Sequence, residues 1–336
     1  MRRQRVTRAT VAVVGVAASA LFGYLAVRGV DFAAAWRALE SMNVWWLAPS
    51  LAALAASVAV RVVRWQILFQ PDRRPPLVPL GKATLLGLFF NSILPARAGE
   101  AARIVALKSY TGTSLAETTG TVVVERVADV TSLLLLLFVL APWLPHVSWL
   151  AAASAVAAGC LIAVVALAFV VWRLRTRPLP RMHLLARVPG LNEERVRLIA
   201  ENALHGMATL ASPRQAISVL AWTYGSWLLL GVSFWCLMLG LHLHLSLLAA
   251  LLVVIAIGLA FIVPSAPAAV GVFEAAGLTA LAAYGVDRSH GFAYVLVLHL
   301  VNFIPFVLAG VILLADAARH RSAAGRPAMA RLRSGP

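Results

Sequence analysis

Charge is what this chain has least of. Only 12% of its 336 residues are Asp, Glu, Lys or Arg, about half the share in a soluble globular protein. That leaves too little polar surface to cover a water-soluble body of this size. Cysteine is nearly missing too. Cys160 and Cys236 each lie inside an apolar run, and neither belongs to a Cys-x-x-Cys. They read as small buried residues, not as a disulfide or metal ligands. The sequence also lacks a Gly-rich phosphate loop ending in Gly-Lys-Ser/Thr, an H-E-x-x-H, a G-x-S-x-G and a dinucleotide fingerprint. No polar stretch is long enough to fold a catalytic domain, so a transporter is expected rather than an enzyme, with no cofactor. ATP-driven pumping by this chain alone is excluded on the same ground. His242-x-His244 has no third ligand nearby, so no metal is expected.

What the chain does have is apolar length. It is 61% hydrophobic, with a mean hydropathy of +0.87. The fold class expected is an all-α polytopic membrane protein. Residues 10–27, 44–60, 118–143, 149–172, 216–241 and 291–315 are six runs able to cross a bilayer. The first follows Arg2-Arg3-Gln4-Arg5 and mimics a secretory signal, with Ala18-Ser19-Ala20 resembling a cleavage site. Its length, and the spans after it, make it an uncleaved first helix.

The net charge of +16 belongs to topology rather than to nucleic acid. Basic residues gather at the ends of apolar runs: Arg2, Arg3, Arg5 and Arg8; Arg61, Arg64, Arg73, Arg74 and Lys82; seven arginines between Arg173 and Arg197; and Arg319 to Arg333. The intervening connections are poor in positive charge. The positive-inside rule puts both termini in the cytoplasm of a bacterial inner membrane. The segment 173–215 is then a cytoplasmic loop. Its stretch 191–210 has helical apolar spacing, fitting either a surface amphipathic helix or a cover on the bundle. The tail 321–336 reads as basic and disordered, in reach of anionic lipid. Residues 1–320 form a single transmembrane domain.

Two regions break the pattern. Residues 82–94 are apolar but short and end at Pro95. Residues 247–263 run into Pro264-Ser265-Ala266-Pro267, then a second apolar stretch. With both termini inside, each must cross an even number of times, so each is a re-entrant hairpin or a pair of spans, giving eight or more in all. The uncharged turn at 264–269 favours the hairpins, because irregular backbone at membrane depth must be buried or line a cavity.

The two breaks resemble each other. Pro95-x-x-x-Gly99-Glu100 and Pro267-x-x-x-Gly271 with Glu274 share a motif, each followed by an Ala-rich helical stretch and a full span. The units 44–143 and 216–315 then form an inverted repeat, whose broken helices mark a midplane transport site. Pro95, Gly99, Pro264, Pro267 and Gly271 are the expected hairpin breaks. Each return arm offers a helix N-terminus to an anion, and Arg97 and Arg103 add formal charge. Glu100 and Glu274 are free to pair with those arginines, bind a cationic headgroup or take up a proton.

Charge also sits inside a span. Glu125 and Asp129 are four apart and share a helix face; Arg126 and Asp129 are three apart and can pair. Each charge at a span centre costs about 2.5–3.5 kcal/mol on insertion scales, so the cluster is either paired or facing water. Arg61, Arg64 and Trp65 close the second span, as an interfacial anchor or a headgroup contact. His299 and Asn302, one turn apart in the last span, read first as hydrogen-bonded packing, with a proton relay as the alternative.

Arg61-x-x-Arg64-Trp65, Phe89-Phe90-Asn91-Ser92-Ile93-Leu94-Pro95-x-Arg97-x-Gly99-Glu100-x-x-Arg103, Val124-Glu125-Arg126-x-x-Asp129 and Pro267-x-x-x-Gly271-Val272-Phe273-Glu274 resemble, in order, the transmembrane domain of lysylphosphatidylglycerol synthases. That domain is the flippase half of the bacterial multiple peptide resistance factor. The resemblance implies a helical lipid flippase with re-entrant elements, acting on an aminoacylated or otherwise modified phospholipid. The chain stops at Pro336, so the family's cytoplasmic aminoacyl-transfer step is not expected. Ala96 and Ala268 stand where the family's motif usually has Gly, at a turn where Ala tolerates positive φ less well.

The function expected is movement of a phospholipid or lipid-linked anionic headgroup across the inner membrane. The alternative is an accessory or transferase acting on polyprenyl-phosphate-linked sugars. The substrate-binding residues expected are Arg97, Glu100, Arg103, Arg64, Glu125, Arg126, Asp129, Glu274 and Asn91. The partners expected are a lipid substrate and anionic lipids at the cytoplasmic face, with no nucleic acid. A homodimer and a separate lipid-modifying enzyme are the protein partners left open.

Overall fold

The computed structural model describes residues 19–94, 98–145, 213–261 and 266–333, with residue 17 and a few isolated positions between 152 and 173. The expected span at 149–172, the amphipathic stretch at 191–210, Pro95, Arg97 and Pro264 lie outside the described residues. The described chain is all-helical, without a strand. A short first helix, α1, covers residues 19–27. There follow α2 (Phe32–Glu40), α3 (Leu47–Leu68), α4 (Leu77–Ile93), α5 (Gly99–Thr111) and α6 (Leu115–Leu140). Beyond the loop come α7 (Pro213–Gly240), α8 (Leu247–Ala260), α9 (Val272–Ala282) and α10 (Arg288–Arg333).

Three described helices are long and apolar enough to cross a membrane, over Val44–Leu68, Arg214–Gly240 and Arg288–Arg319. On α10, Leu300, Ile304, Leu308 and Ile312 stand exposed at four-residue spacing. An apolar stripe of that kind on the outside of a bundle faces lipid. The protein is a multi-pass membrane protein. With 26 residues, α6 is long enough to cross but carries Glu125, Arg126 and Asp129 midway. The final turns of α10 run on through the basic segment that composition reads as disordered; Ala and Arg are good helix formers.

The two broken regions fold as helical hairpins, α4–α5 and α8–α9, each packed arm against arm. The arms have 17, 13, 14 and 11 residues, so the longest rises about 25 Å at 1.5 Å per residue. None matches the ~30 Å of a hydrocarbon core. Glycine is required at both breaks. A Cβ on Gly99 would land inside the carbonyl oxygen of Gly87 on the opposite arm. Gly271 has φ 85°, and a Cβ there would run into the backbone of α1 at Ser19 and Gly23. Between them, Ala268 and Ala269 sit at φ 56° and 57°. This is the strained left-handed region that the expected Gly would relieve.

The spans pack through small residues. Ser50 and Ser57 on α3 are two turns apart and face Ser233 and Ser226 on α7, with Ser50 Oγ 3.0 Å from Ser233 Oγ and Ser57 Oγ donating to the Ser226 carbonyl at 2.8 Å. Small hydroxyl residues at such a seam let two backbones approach closely. The main apolar core lies between α6, α7, α8, α9 and α10, around Leu137, Leu237, Val253 and Leu298. A second core, around Trp65, Leu80 and Leu107, supports the charged groups.

Candidate functional site

The second span is longer than its apolar run. Because α3 extends to Leu68, Arg61, Arg64 and Trp65 lie inside the helix instead of closing it, and the anchor reading gives way. Arg64 is wholly buried, at 0% exposure. Its Nη1 lies 2.5 Å from Asp129 Oδ1 and its Nη2 3.0 Å from Glu125 Oε1. Nη1 also donates to Thr223 Oγ1 on α7 at 3.0 Å.

From α5, one turn below Gly99, Arg103 reaches Glu125 as well, and Glu100 on its own helix. It lies 2.8 Å from Glu100 and 3.2 Å from Glu125, with its guanidinium 4.7 Å over the Trp65 ring. Trp65 is fixed in turn by its Nε1, which donates to Thr121 Oγ1 at 3.1 Å. Arg126 closes the network with contacts to Glu125 at 2.8 Å, Asp129 at 3.0 Å and Glu100 at 3.6 Å. The pairing that the i, i+3 spacing predicts between Arg126 and Asp129 is there. Three helices, α3, α5 and α6, are thus stitched together by ion pairs where lipid or apolar packing offers no other partner for charge.

One cation stays outside this pairing. Arg61, one turn before Arg64, has no carboxylate within 4 Å among the described residues. Its guanidinium lies 4.8 Å over the Trp227 ring of α7, and its Nε is buried without a hydrogen-bond partner. Arg103 Nη2 and Arg126 Nε are unpartnered as well. Four guanidiniums against the three carboxylates of Glu100, Glu125 and Asp129 leave one positive charge over.

These groups form one wall of a cavity of about 250 Å³. Arg61, Glu100, Arg103, Arg126 and Asp129 line it on the charged side. Phe234, Phe261, Phe303 and Phe306 line it on the apolar side. Both hairpin breaks reach it, through Asn91 and Ser92 from the first and Ala266, Ala268 and Ala269 from the second. A pocket with an apolar body and a few converging polar groups is what a small-molecule or headgroup site requires.

The hairpin ends differ from the sequence expectation in one respect. One backbone amide at each end is already used. Asn91 Oδ1 accepts from the Gly99 N–H at 2.9 Å, and Glu274 Oε2 accepts from the Gly271 N–H at 2.6 Å. The anion-binding character of the cavity therefore rests on the guanidiniums more than on free helix ends. Among the described residues, Glu274 pairs with no arginine. Its Oε1 lies 2.5 Å from His299 Nδ1 on α10, and the His299 ring rests on Phe273 with centroids 4.6 Å apart. His299, which reads in the sequence as packing, is a cavity residue. The other histidine motif stays ordinary: His242 Nε2 bonds the Ser41 carbonyl oxygen at 3.0 Å, and no group able to hold a metal occurs among the described residues.

Of the expected substrate-binding residues, Asn91, Glu100, Arg103, Glu125, Arg126 and Asp129 line one cavity. Arg64 sits behind them and Glu274 beside His299. The sequence reading missed Thr223 and Trp227 as parts of the site; it raised Arg61 as an anchor or a headgroup contact and His299 as packing or a relay, and placed neither among the substrate-binding residues. The signal for Thr223 and Trp227 was their spacing of four on one face of α7, together with the serine seam that turns that face toward α3.

Residues 12–310 match the family model described as the lysylphosphatidylglycerol synthase TM region. The chain belongs to that family. It is also 24% identical over 226 residues to a UPF0104 membrane protein of Methanocaldococcus jannaschii, an alignment covering 67% of this chain and 93% of that protein. The family match spans α1 to the first half of α10, so the charged network and both hairpins fall inside it.

Proposed function

We propose that this protein moves a phospholipid, or another lipid with an anionic headgroup, across the membrane between its two broken hairpins. The observation that carries this reading is the unpaired Arg61, held in a cavity whose other wall is aromatic. A phosphate there gains a charge-assisted contact that no described side chain supplies, and acyl chains leave past the phenylalanines. Membership of a family named for a lipid synthase's membrane region supports the substrate class. The short hairpin arms fit a re-entrant course from opposite faces, with both termini in the cytoplasm of a bacterial inner membrane. On that course the units 44–143 and 216–315 rock against each other about the cavity.

The test uses purified protein in liposomes carrying phosphatidylglycerol with a fluorescent headgroup label. Dithionite bleaches outer-leaflet label, so lipid movement appears as faster loss of the protected signal. Wild type should accelerate that loss over empty liposomes, and Arg61→Gln should return it to within about twofold of background. Unchanged movement in Arg61→Gln would exclude the site.

A further inference from the structure

Each hairpin carries a carboxylate just beyond its closing glycine, and the two have different partners. Glu100 lies against Arg103 and Arg126, which hold their protons at any physiological pH. Glu274 lies against His299, the side-chain type whose ordinary charge change falls between pH 5 and 8. Glu274 and His299 are 12% and 13% exposed at their side chains, and His299 lines the cavity.

Among the described residues, the cavity lining holds no second histidine. Arg61 faces it from α3, Glu100 and Arg103 from α5, and Glu125, Arg126 and Asp129 from α6. The residues lining it from α4, α7, α8 and the 266–269 turn are uncharged, and α10 itself adds Asn302. Each of the three carboxylates lies within 4 Å of at least one arginine nitrogen.

Resting on the lipid-transport reading, we propose that the Glu274–His299 pair is a proton-binding site that couples headgroup movement to proton uptake. A carboxylate only accepts, so while the imidazole is neutral Nδ1 carries the hydrogen that Glu274 Oε1 receives, and Nε2 holds the free lone pair. A proton from water on one side adds to Nε2, and the pair goes from one negative charge to neutral. The same proton leaves from Nε2 to water on the other side. In the protonated state the cavity holds one more positive charge, so an anionic headgroup and a proton each favour the other's binding by the same factor. The first hairpin supplies fixed charge that binds the anion on either side, and the second supplies charge that can be switched.

The test has two arms. In nanodiscs with ¹⁵N-labelled histidine, the His299 ring is assigned as the signal missing from His299→Gln among the eight histidines of the chain. Its signal should move reversibly between pH 5 and 9, and Glu274→Gln should alter that response. A ring fixed in one protonation state over that range overturns the proposal whatever the lipid does. In the liposome assay, with the potential clamped by potassium and valinomycin, opposite gradients of one pH unit should change the wild-type rate by up to about tenfold for one proton. His299→Gln should respond equally to both gradients. Equal wild-type rates under both gradients overturn the coupling and leave lipid transport standing. No lipid movement under any gradient removes both.

Discussion

Replacing Arg64 by glutamine should destabilise the protein by about 3 kcal/mol. The side chain is 0% exposed and holds Asp129 at 2.5 Å, Glu125 at 3.0 Å and Thr223 at 3.0 Å. Removing one member of a buried ion pair costs about 3–5 kcal/mol, because its partner is left charged and desolvated. The low end applies here, since Asp129 keeps Arg126 at 3.0 Å and Glu125 keeps Arg103 at 3.2 Å. Arg126→Gln should cost less, about 1 kcal/mol, because its side chain is 37% exposed and solvent screens its pairs. The assay is unfolding in mixed micelles by added SDS, followed through the ten tryptophans. A double-mutant cycle isolates the pair. Arg64→Gln with Asp129→Asn should fall short of the summed single losses by about 1–3 kcal/mol. Additivity within about 0.5 kcal/mol would refute the claim that Arg64 organises the network. Arg61→Gln is the contrast. Having only its ring contact, it should cost about 1 kcal/mol or less while abolishing lipid movement.

Three further outcomes follow from the backbone and the helix ends. Ala268→Gly removes a left-handed Ala, at φ 56°, and should raise stability by about 1 kcal/mol in the same SDS titration; no gain would mean that the turn is not strained. Gly271→Ala should lose more than about 1 kcal/mol, since it sets a Cβ at φ 85° against α1; a neutral effect would break the link between the second hairpin and the first helix. Asp287 caps α10, accepting from Ser289 N at 3.0 Å and His290 N at 3.2 Å. Burial nudges its carboxyl upward, but the His290 N–H, the His290 ring and its charge, and the Ser289 N–H together hold it below the ordinary 3.8. A depressed folded-state value means that the cap stabilises above the unfolded value and is lost as pH falls through the folded one. Asp287→Ala should therefore cost about 1 kcal/mol at pH 7 and little near pH 3; an equal cost at both would exclude the cap.

Most of the fold was readable because a bilayer leaves the chain few options. Composition alone called for helices, and the apolar runs at 44–60, 216–241 and 291–315 each lie within a helix that the structure draws. Only at their ends did the reading slip. The run at 44–60 stops where Arg61 begins, yet α3 continues two turns to Leu68, because its arginines meet carboxylates instead of lipid. Periodicity registers the change from apolar to charged, and it cannot register that the charge is paired. Likewise the Pro-x-x-x-Gly motif gave the position of both breaks, while the capping of their amides by Asn91 and Glu274 depends on rotamers that spacing does not fix.

The division of labour between Arg61 and Arg64 was illegible for a different reason. Three residues apart, they share one face of α3 and look equivalent. What separates them is which carboxylate arrives from a helix 65 residues away, and that is settled by how α6 is rotated against α3. The rotation places Asp129 and Glu125 on Arg64 and leaves Arg61 over Trp227. A network serving stability alone is complete with Arg64, Arg103 and Arg126 against three carboxylates. A fourth guanidinium in the same low-dielectric space adds desolvation and repulsion and brings no ion pair. On the proposed function, an anion from outside the protein takes the open position and offsets the part of that cost which the Trp227 ring does not, so Arg61, the least connected charge of the four, is the one that the lipid assay should be most sensitive to.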